Sequence, residues 1–209
     1  VAPETAILLP EVPIAPEARV LVPEPEQTVL LHAGSGSLRK NWPFGHFYAL
    51  AGRLKEQGLQ IKWLHGPAEP ELPYPLGDAV LRGLPLPLLR QLLAICRLYV
   101  GNDSGISHLA AACRCPAVVL FGASDPRVWA PRGREVTILT GSVPCAPCHP
   151  HAAADHQRRN AASFAAAGAT RLVDEREGPD RLEAGLATAL EELLAEPGPS
   201  TMARIHDLK

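Results

Sequence analysis

The sequence predicts an α/β fold built on a doubly wound parallel sheet. Two observations carry this. Short, almost unbroken apolar runs alternate with helical segments as repeated β–loop–α units, the pattern of strands covered on both faces by helices. Three polar turns, at residues 32–43, 101–108 and 122–134, each leave the carboxyl end of such a run, and in sheets of this kind ligands bind beyond those ends. The three turns are therefore expected on one rim.

Taken in order, residues 1–27 hold six prolines and five glutamates, which predicts an extended connector with at most a short edge strand at 6–9. Residues 28–31 (Thr-Val-Leu-Leu) suit a buried strand. It opens into a Gly- and Ser-rich loop, His-Ala-Gly-Ser-Gly-Ser from 32, with Arg39 and Lys40 just beyond. Such a loop lets backbone approach a ligand closely, yet it matches neither GxGxxG nor GxxxxGK[ST]. From 44 to 57, Phe47, Leu50, Ala51 and Leu54 recur at helical spacing, and Gly58 supplies the stop. Residues 60–65 form the next strand, and the Pro-rich loop after it carries Glu69 and Glu71. A carboxylate there can take ribose hydroxyls, although the residues alone favour a solvated charged loop. A strand at 79–81 and a helix at 86–98 follow, with Cys96 on the helix's buried side as a core thiol.

Residues 98–100 form a strand, 106–113 a helix, 117–121 an almost wholly apolar strand and 135–139 another. The turn at 101–108, Gly-Asn-Asp-Ser-Gly-Ile-Ser-His, lies where strand meets helix. Free backbone N–H groups and the positive end of the helix dipole make that junction an anion site, suited to the diphosphate of a nucleotide-activated substrate. Taken alone, Asp103 reads as a helix cap, His108 as a core histidine, Trp42 and Trp129 as packing residues, and Asp125 with Pro126 as a turn. Arg127, Arg132 and Arg134 are left between anion contact and solvent. Beyond 140, Cys145 and Cys148 form a CxxC beside His149 and His151, with His156 further on. Zinc needs about four ligands and the second pair is missing, so no metal site is assigned. Residues 152–170 are Ala-rich, and Asp180 opens a last helix along Leu182, Leu186, Leu190 and Leu193 before Pro197.

Composition narrows the function. Twenty basic against twenty-two acidic side chains, a net charge of −2, give no footprint for nucleic acid. No apolar run approaches the ~20 residues of a membrane span, and the start lacks signal-peptide order. Five cysteines, an odd count, argue against a disulfide framework and for a cytoplasmic setting.

The loop His-Ala-Gly-Ser (32–35) with Lys-Asn-Trp-Pro (40–43) resembles that of the lipopolysaccharide heptosyltransferases, glycosyltransferase family 9. So do Asn-Asp-Ser-Gly-Ile-Ser-His-Leu-Ala-Ala from 102, Phe-Gly-Ala-Ser-Asp-Pro from 121 and Trp-Ala-Pro from 129. The resemblance spans residues 28–140, with the motifs in order. It implies a GT-B enzyme of two Rossmann-like domains with the active site between them. The C-terminal domain binds the sugar nucleotide, typically ADP-heptose. The N-terminal domain holds the glycan or lipopolysaccharide acceptor and a catalytic aspartate. This chain resembles the C-terminal half alone, so no catalytic residue is assigned within it and the base is expected in an N-terminal domain upstream. The implied organisation is a linker at 1–27, a sugar-nucleotide-binding Rossmann-like domain at 28–150, an Ala-rich segment and helix at 151–196, and a tail at 197–209.

Carried over by residue, the resemblance implies that Gly34 and Ser35 donate to the phosphates and that Lys40 pairs with the diphosphate. Asp103 would meet heptose hydroxyls. Ser104 and Gly105 would present amides, and His108 a ring N–H, to the same group. It implies transfer with inversion, no metal or other cofactor, and work at the cytoplasmic face of the inner membrane. Three rivals are a non-catalytic nucleotide-sugar-binding or scaffolding module, a NAD-type oxidoreductase, disfavoured by the missing GxGxxG, and a redox or zinc role for Cys145 and Cys148.

Overall fold

The computed structural model describes residues 8–67, 69–122, 124–140 and 171–174, together with Thr188. Among the described residues seven parallel strands form one sheet: β1 (Thr28–His32), β2 (Gln60–His65), β3 (Ala79–Arg82), β4 (Leu98–Asn102), β5 (Ala117–Phe121), β6 (Val136–Thr140) and β7 (Arg171–Asp174). The helices are α1 (Pro16–Leu21), α2 (Phe44–Glu56), α3 (Leu86–Ile95), α4 (Gly105–Ala112) and the short α5 (Pro126–Trp129). Strand order is β3-β2-β1-β4-β5-β6-β7. The expected doubly wound α/β sheet is what forms.

Side chains alternate across the pleat. Leu30, Tyr99, Val119 and Ile138 enter one core, shared with Leu92 and Leu93 of α3 and Ala110 and Ala111 of α4. Val29, Leu31, Leu98, Val100, Val118, Leu120 and Leu139 enter the other, shared with Phe47, Leu50 and Leu54 of α2. Both faces of the sheet are thus dry at its centre, where β1, β4 and β5 are buried along their whole length.

The strand order reverses direction at one place. From β1 the chain winds through β2 to β3 at one edge; β4 then pairs with the other side of β1, with His32 opposite Gly101. The loops after β1 and β4 therefore part from adjacent strands and leave a crevice between them.

Several sequence expectations shift. The stretch before Thr28 is not wholly an extended connector, because Pro16 opens α1 at the position where its missing N–H is harmless. Ala18 and Val22 are fully buried beside α3, and the Ala15 amide donates to Gln91 Oε1 at 2.7 Å. No strand forms at Leu8 and Leu9; the Leu9 amide instead donates to the Ala112 carbonyl, while Ala6 and Ile7 lie outside the described residues. The helix expected to reach 98 ends at Ile95, since Cys96 turns extended (φ −66°, ψ 155°) and Leu98 already pairs with Val29 in the sheet. Cys96 is a buried core thiol, with its Sγ 3.5 Å from that of Cys115. Strand β7, past the expected boundary at 150, pairs with β6 from Thr137 to Thr140. The CxxC, the Ala-rich segment and the helix from Asp180 lie outside the described residues. Among the described residues no helix is long and apolar enough to cross a membrane.

Candidate functional site

The crevice between β1 and β4 gathers the polar groups. Asn102, the last residue of β4 and fully buried, ties its two sides together. Its Oδ1 accepts the Trp42 amide and its Nδ2 donates to the Ala33 carbonyl, both at 2.9 Å. Next to it, Asp103 Oδ2 receives the Lys40 Nζ at 2.8 Å across the same gap. The Asp103 side chain is 6% exposed and that of Lys40 36%, so the carboxylate is sunk and the ammonium reaches outward.

Ser104 then serves as the N-cap of α4 in extended conformation (φ −152°, ψ 165°), with no side chain closing the helix end. Asp103 does not cap it. The first amides of α4, at Gly105 and Ile106, keep their positive dipole end. Gly105 and His108 are both exposed there, one turn apart. His108 is exposed, so the reading of it as a core histidine is excluded.

Beneath this rim lies a buried polar chain. His32 Nε2 sits 2.6 Å from Glu69 Oε1. The same ring's Nδ1 faces the Tyr99 hydroxyl at 3.3 Å and Ser104 Oγ at 3.4 Å. Tyr99 reaches Ser107 Oγ at 3.0 Å, and Ser107 donates to the Asn102 carbonyl at 2.6 Å. Burial pushes the Tyr99 phenol well up, against the smaller opposite pull of Ser107 and Ser104, so it acts as a neutral O–H. Burial also disfavours a charged Glu69, but the His32 hydrogen bond and charge, with the Gly66 amide, outweigh it and hold this carboxyl below its ordinary value of 4.5.

A family model for glycosyltransferase family 9 (heptosyltransferase) matches residues 15–156, which contain every group just described. The chain belongs to this family. Lipopolysaccharide heptosyltransferase 1 of Pseudomonas aeruginosa is 36% identical over 126 residues, covering 57% of this chain and 35% of that protein. The chain thus spans about a third of the length of the curated relatives it matches. A family 9 glycosyltransferase of Veillonella parvula shares the fold with a TM-score of 0.59 at 20% identity, over 88% of this chain and 53% of that one. The Escherichia coli heptosyltransferase WaaC, solved with ADP, does so with a TM-score of 0.50 at 22% identity, over 60% and 42%.

Within this family 9 chain the expected site residues fall into three groups. Lys40 and Asp103 meet at the crevice, Ser104 and Gly105 stand at the helix start that follows Asp103, and His108 is exposed one turn further along α4. Gly34 and Ser35 lie in the loop that leaves β1, and both are buried. A Cβ on Gly34 would overlap the Glu69 carboxylate in its present pose, so the glycine leaves room for Glu69 to lie there. The Ser35 hydroxyl is held within its own loop, beside Asn41 Oδ1 (2.6 Å) and the Ser37 carbonyl (2.8 Å). It organises the loop that presents Lys40. Glu69 and Glu71 part company. Glu69 turns into the site, its side chain 8% exposed, whereas Glu71 is 68% exposed and pairs with Arg82.

Away from the crevice, Asp125 shapes its turn as expected by accepting the Arg127 amide at 3.0 Å, and it also holds the Arg127 guanidinium. Arg127 is therefore committed to Asp125. Trp42 packs, stacked on His46 and edge-on to Phe47. Trp129 does not: it is 54% exposed on α5. Sequence reasoning assigned no role to His32, Asn102, Tyr99 or Ser107. The available signal was weak: a histidine closing an apolar strand, and an asparagine as the first polar residue after another.

The Glu69 pair gives a pH dependence of known sign. A carboxyl held below its unfolded value contributes stability above that value and loses it as pH falls through the lowered one. Thermal melts from pH 6 to pH 3 are expected to show Glu69→Gln losing less stability than the parent below about pH 4.5. Parallel curves would show that Glu69 is not ionised against His32.

Proposed function

We propose that this family 9 glycosyltransferase chain is the donor-binding part of a heptosyltransferase-like enzyme, and that its crevice takes the diphosphate of ADP-heptose. The observation that carries the reading is the Lys40–Asp103 pair, which spans the switch point beside an uncapped helix start. A cation, a dipole end and a sunken carboxylate are the groups a sugar diphosphate calls for. On binding, the diphosphate draws Lys40 to itself, which frees Asp103 to accept from sugar hydroxyls. His108 donates to the phosphate from one turn further along. Glu69 Oε2, buried and without a partner among the described residues, is left to accept from the ribose. The ADP seen with WaaC supports the choice of nucleotide.

In the reaction so read, an acceptor hydroxyl on lipopolysaccharide or another glycan attacks the anomeric carbon from the face opposite the diphosphate. A base supplied by an N-terminal domain removes its proton, and configuration inverts. Negative charge develops on the departing ADP, where Lys40 and the α4 amides are already aimed. These groups neutralise the leaving group without a metal ion. The setting proposed is the cytoplasmic face of the inner membrane, where the acceptor is held.

Isothermal titration with ADP tests this. A charge-assisted hydrogen bond contributes about 1.5–3 kcal/mol, so Lys40→Ala is expected to weaken ADP by about ten-fold or more. Equal heats for both proteins, or none for either, would contradict the assignment.

A further inference from the structure

His32 closes β1 at 1% exposure, and its two ring nitrogens face different parts of the site. An ionised carboxylate can only accept, so the 2.6 Å contact with Glu69 Oε1 places the proton on His32 Nε2. In the neutral ring Nδ1 is then an acceptor. Ser107 spends its own proton on the Asn102 carbonyl and keeps its oxygen open to Tyr99 and Ser104, at 3.0 and 3.3 Å. Two hydroxyl protons, those of Tyr99 and Ser104, thus meet two acceptors, His32 Nδ1 and Ser107 Oγ. This part of the cluster is closed, with each donor matched. One atom stands outside it: Glu69 Oε2, buried and without a partner among the described residues.

The pose of that carboxylate is tightly bounded. Cβ atoms added at Gly34 or at Gly66 would both run into it, so the backbone closes in on two sides. Without the His32 proton that acid keeps only the Gly66 amide beside it, and burial then favours its neutral form. Protonated, it would offer a hydroxyl in place of a bare oxygen. We infer that His32 is a positioning residue: by giving its Nε2 proton to one oxygen of Glu69, it holds the other as a lone, fixed acceptor for a ribose hydroxyl. His32 reaches the nucleotide only through Glu69. The inference rests on the donor-site reading and deepens it, because it makes the ribose preference depend on a residue that touches no ligand.

The experiment is isothermal titration of the full chain and its variants at pH 7.5 with ADP and with 2′,3′-dideoxy-ADP. The unaltered chain is expected to prefer ADP by about ten-fold or more, the worth of a hydrogen bond to a charged group, and Glu69→Gln to lose most of that preference. The amide of glutamine reaches the place of Nε2, so His32→Gln is expected to retain the preference. The shorter amide of asparagine reaches only the place of Nδ1 and can serve the hydroxyls alone, so His32→Asn is expected to lose it. A merely structural role would weaken both ligands together and leave their ratio unchanged. His32→Asn keeping the parental ratio overturns the inference, and so does His32→Gln losing it; the second result is decisive even if His32→Asn fails to fold. No ADP binding by the unaltered chain overturns the donor-site reading itself, and this inference with it. Binding without preference overturns the ribose contact and leaves the diphosphate site standing.

Discussion

Asn102→Ala is expected to lower stability by about 2–4 kcal/mol and to weaken ADP at least ten-fold. The side chain is fully buried and bridges two loops through two hydrogen bonds. Truncation removes the partner of the Trp42 amide and that of the Ala33 carbonyl, and each buried group left unsatisfied costs about 1–3 kcal/mol. The binding loss has a different origin. Trp42 lies two residues past Lys40, so its amide anchors the loop end that carries the ammonium. Released from Asn102, that end no longer holds Lys40 over the start of α4, and a charge misplaced by an ångström or two loses much of its effect on an anion. Urea unfolding and an ADP titration read the two effects separately. Parental values in both would show that Asn102 does not couple the loops.

The largest loss of stability is expected at Trp63. Its indole, on β2, is fully buried among Phe44 and Tyr74, with ring centroids 5.5 Å away in each case. Its Nε1 donates to Asp78 Oδ2 at 2.8 Å. Trp63→Ala removes that packing and is expected to cost about 3–5 kcal/mol, whereas Trp63→Phe keeps a ring in place and loses less. Asp78 retains Lys55 as a partner, which limits the polar part of the loss. The same cluster supports the segment that delivers Glu69, because Tyr74 also bonds His65 Nδ1 at 2.9 Å and lies under Arg82. Trp63→Ala therefore loosens one wall of the site as well as one core. Chemical denaturation gives the number; a loss under 1 kcal/mol would contradict the burial.

The fold was legible wherever a strand is buried on both faces. The run at 117–121 forms a strand with the expected bounds because apolar packing on both faces shapes it, and the run at 60–65 does so around its buried Ile61, Trp63 and Leu64. Helix α1 escaped notice for a physical reason. Its buried face is only Ala18 and Val22, too narrow a stripe to stand out among prolines and glutamates. Strand β7 is equally quiet, its place set by lateral pairing with β6.

The site divides along the same line. Lys40 and Asp103 could be named from their motifs, since each sits in a polar turn after a strand. That they meet across 2.8 Å depends on β4 returning to the side of β1, a long-range pairing that no local pattern displays. His32 and Tyr99 become partners by the same adjacency, on neighbouring strands with side chains on one face. The neighbour of Gly34 was hidden for a related reason. The glycine looked like a residue that lets backbone reach a phosphate, and what fills the space beside it is a carboxylate from a loop 35 residues further along. Sequence spacing shows which residues share a turn; it does not show which turns share a crevice.

The central claim is that the loops after β1 and β4 form one diphosphate site. A titration of the ¹⁵N-labelled chain with ADP, followed by backbone amide shifts, tests it most directly. The amides of Lys40 and Asn41 in the first loop and of Ser104, Gly105 and Ile106 in the second are expected to move together and to saturate along one binding curve. Movement of one loop without the other, or shifts gathered elsewhere on the chain, would contradict the account.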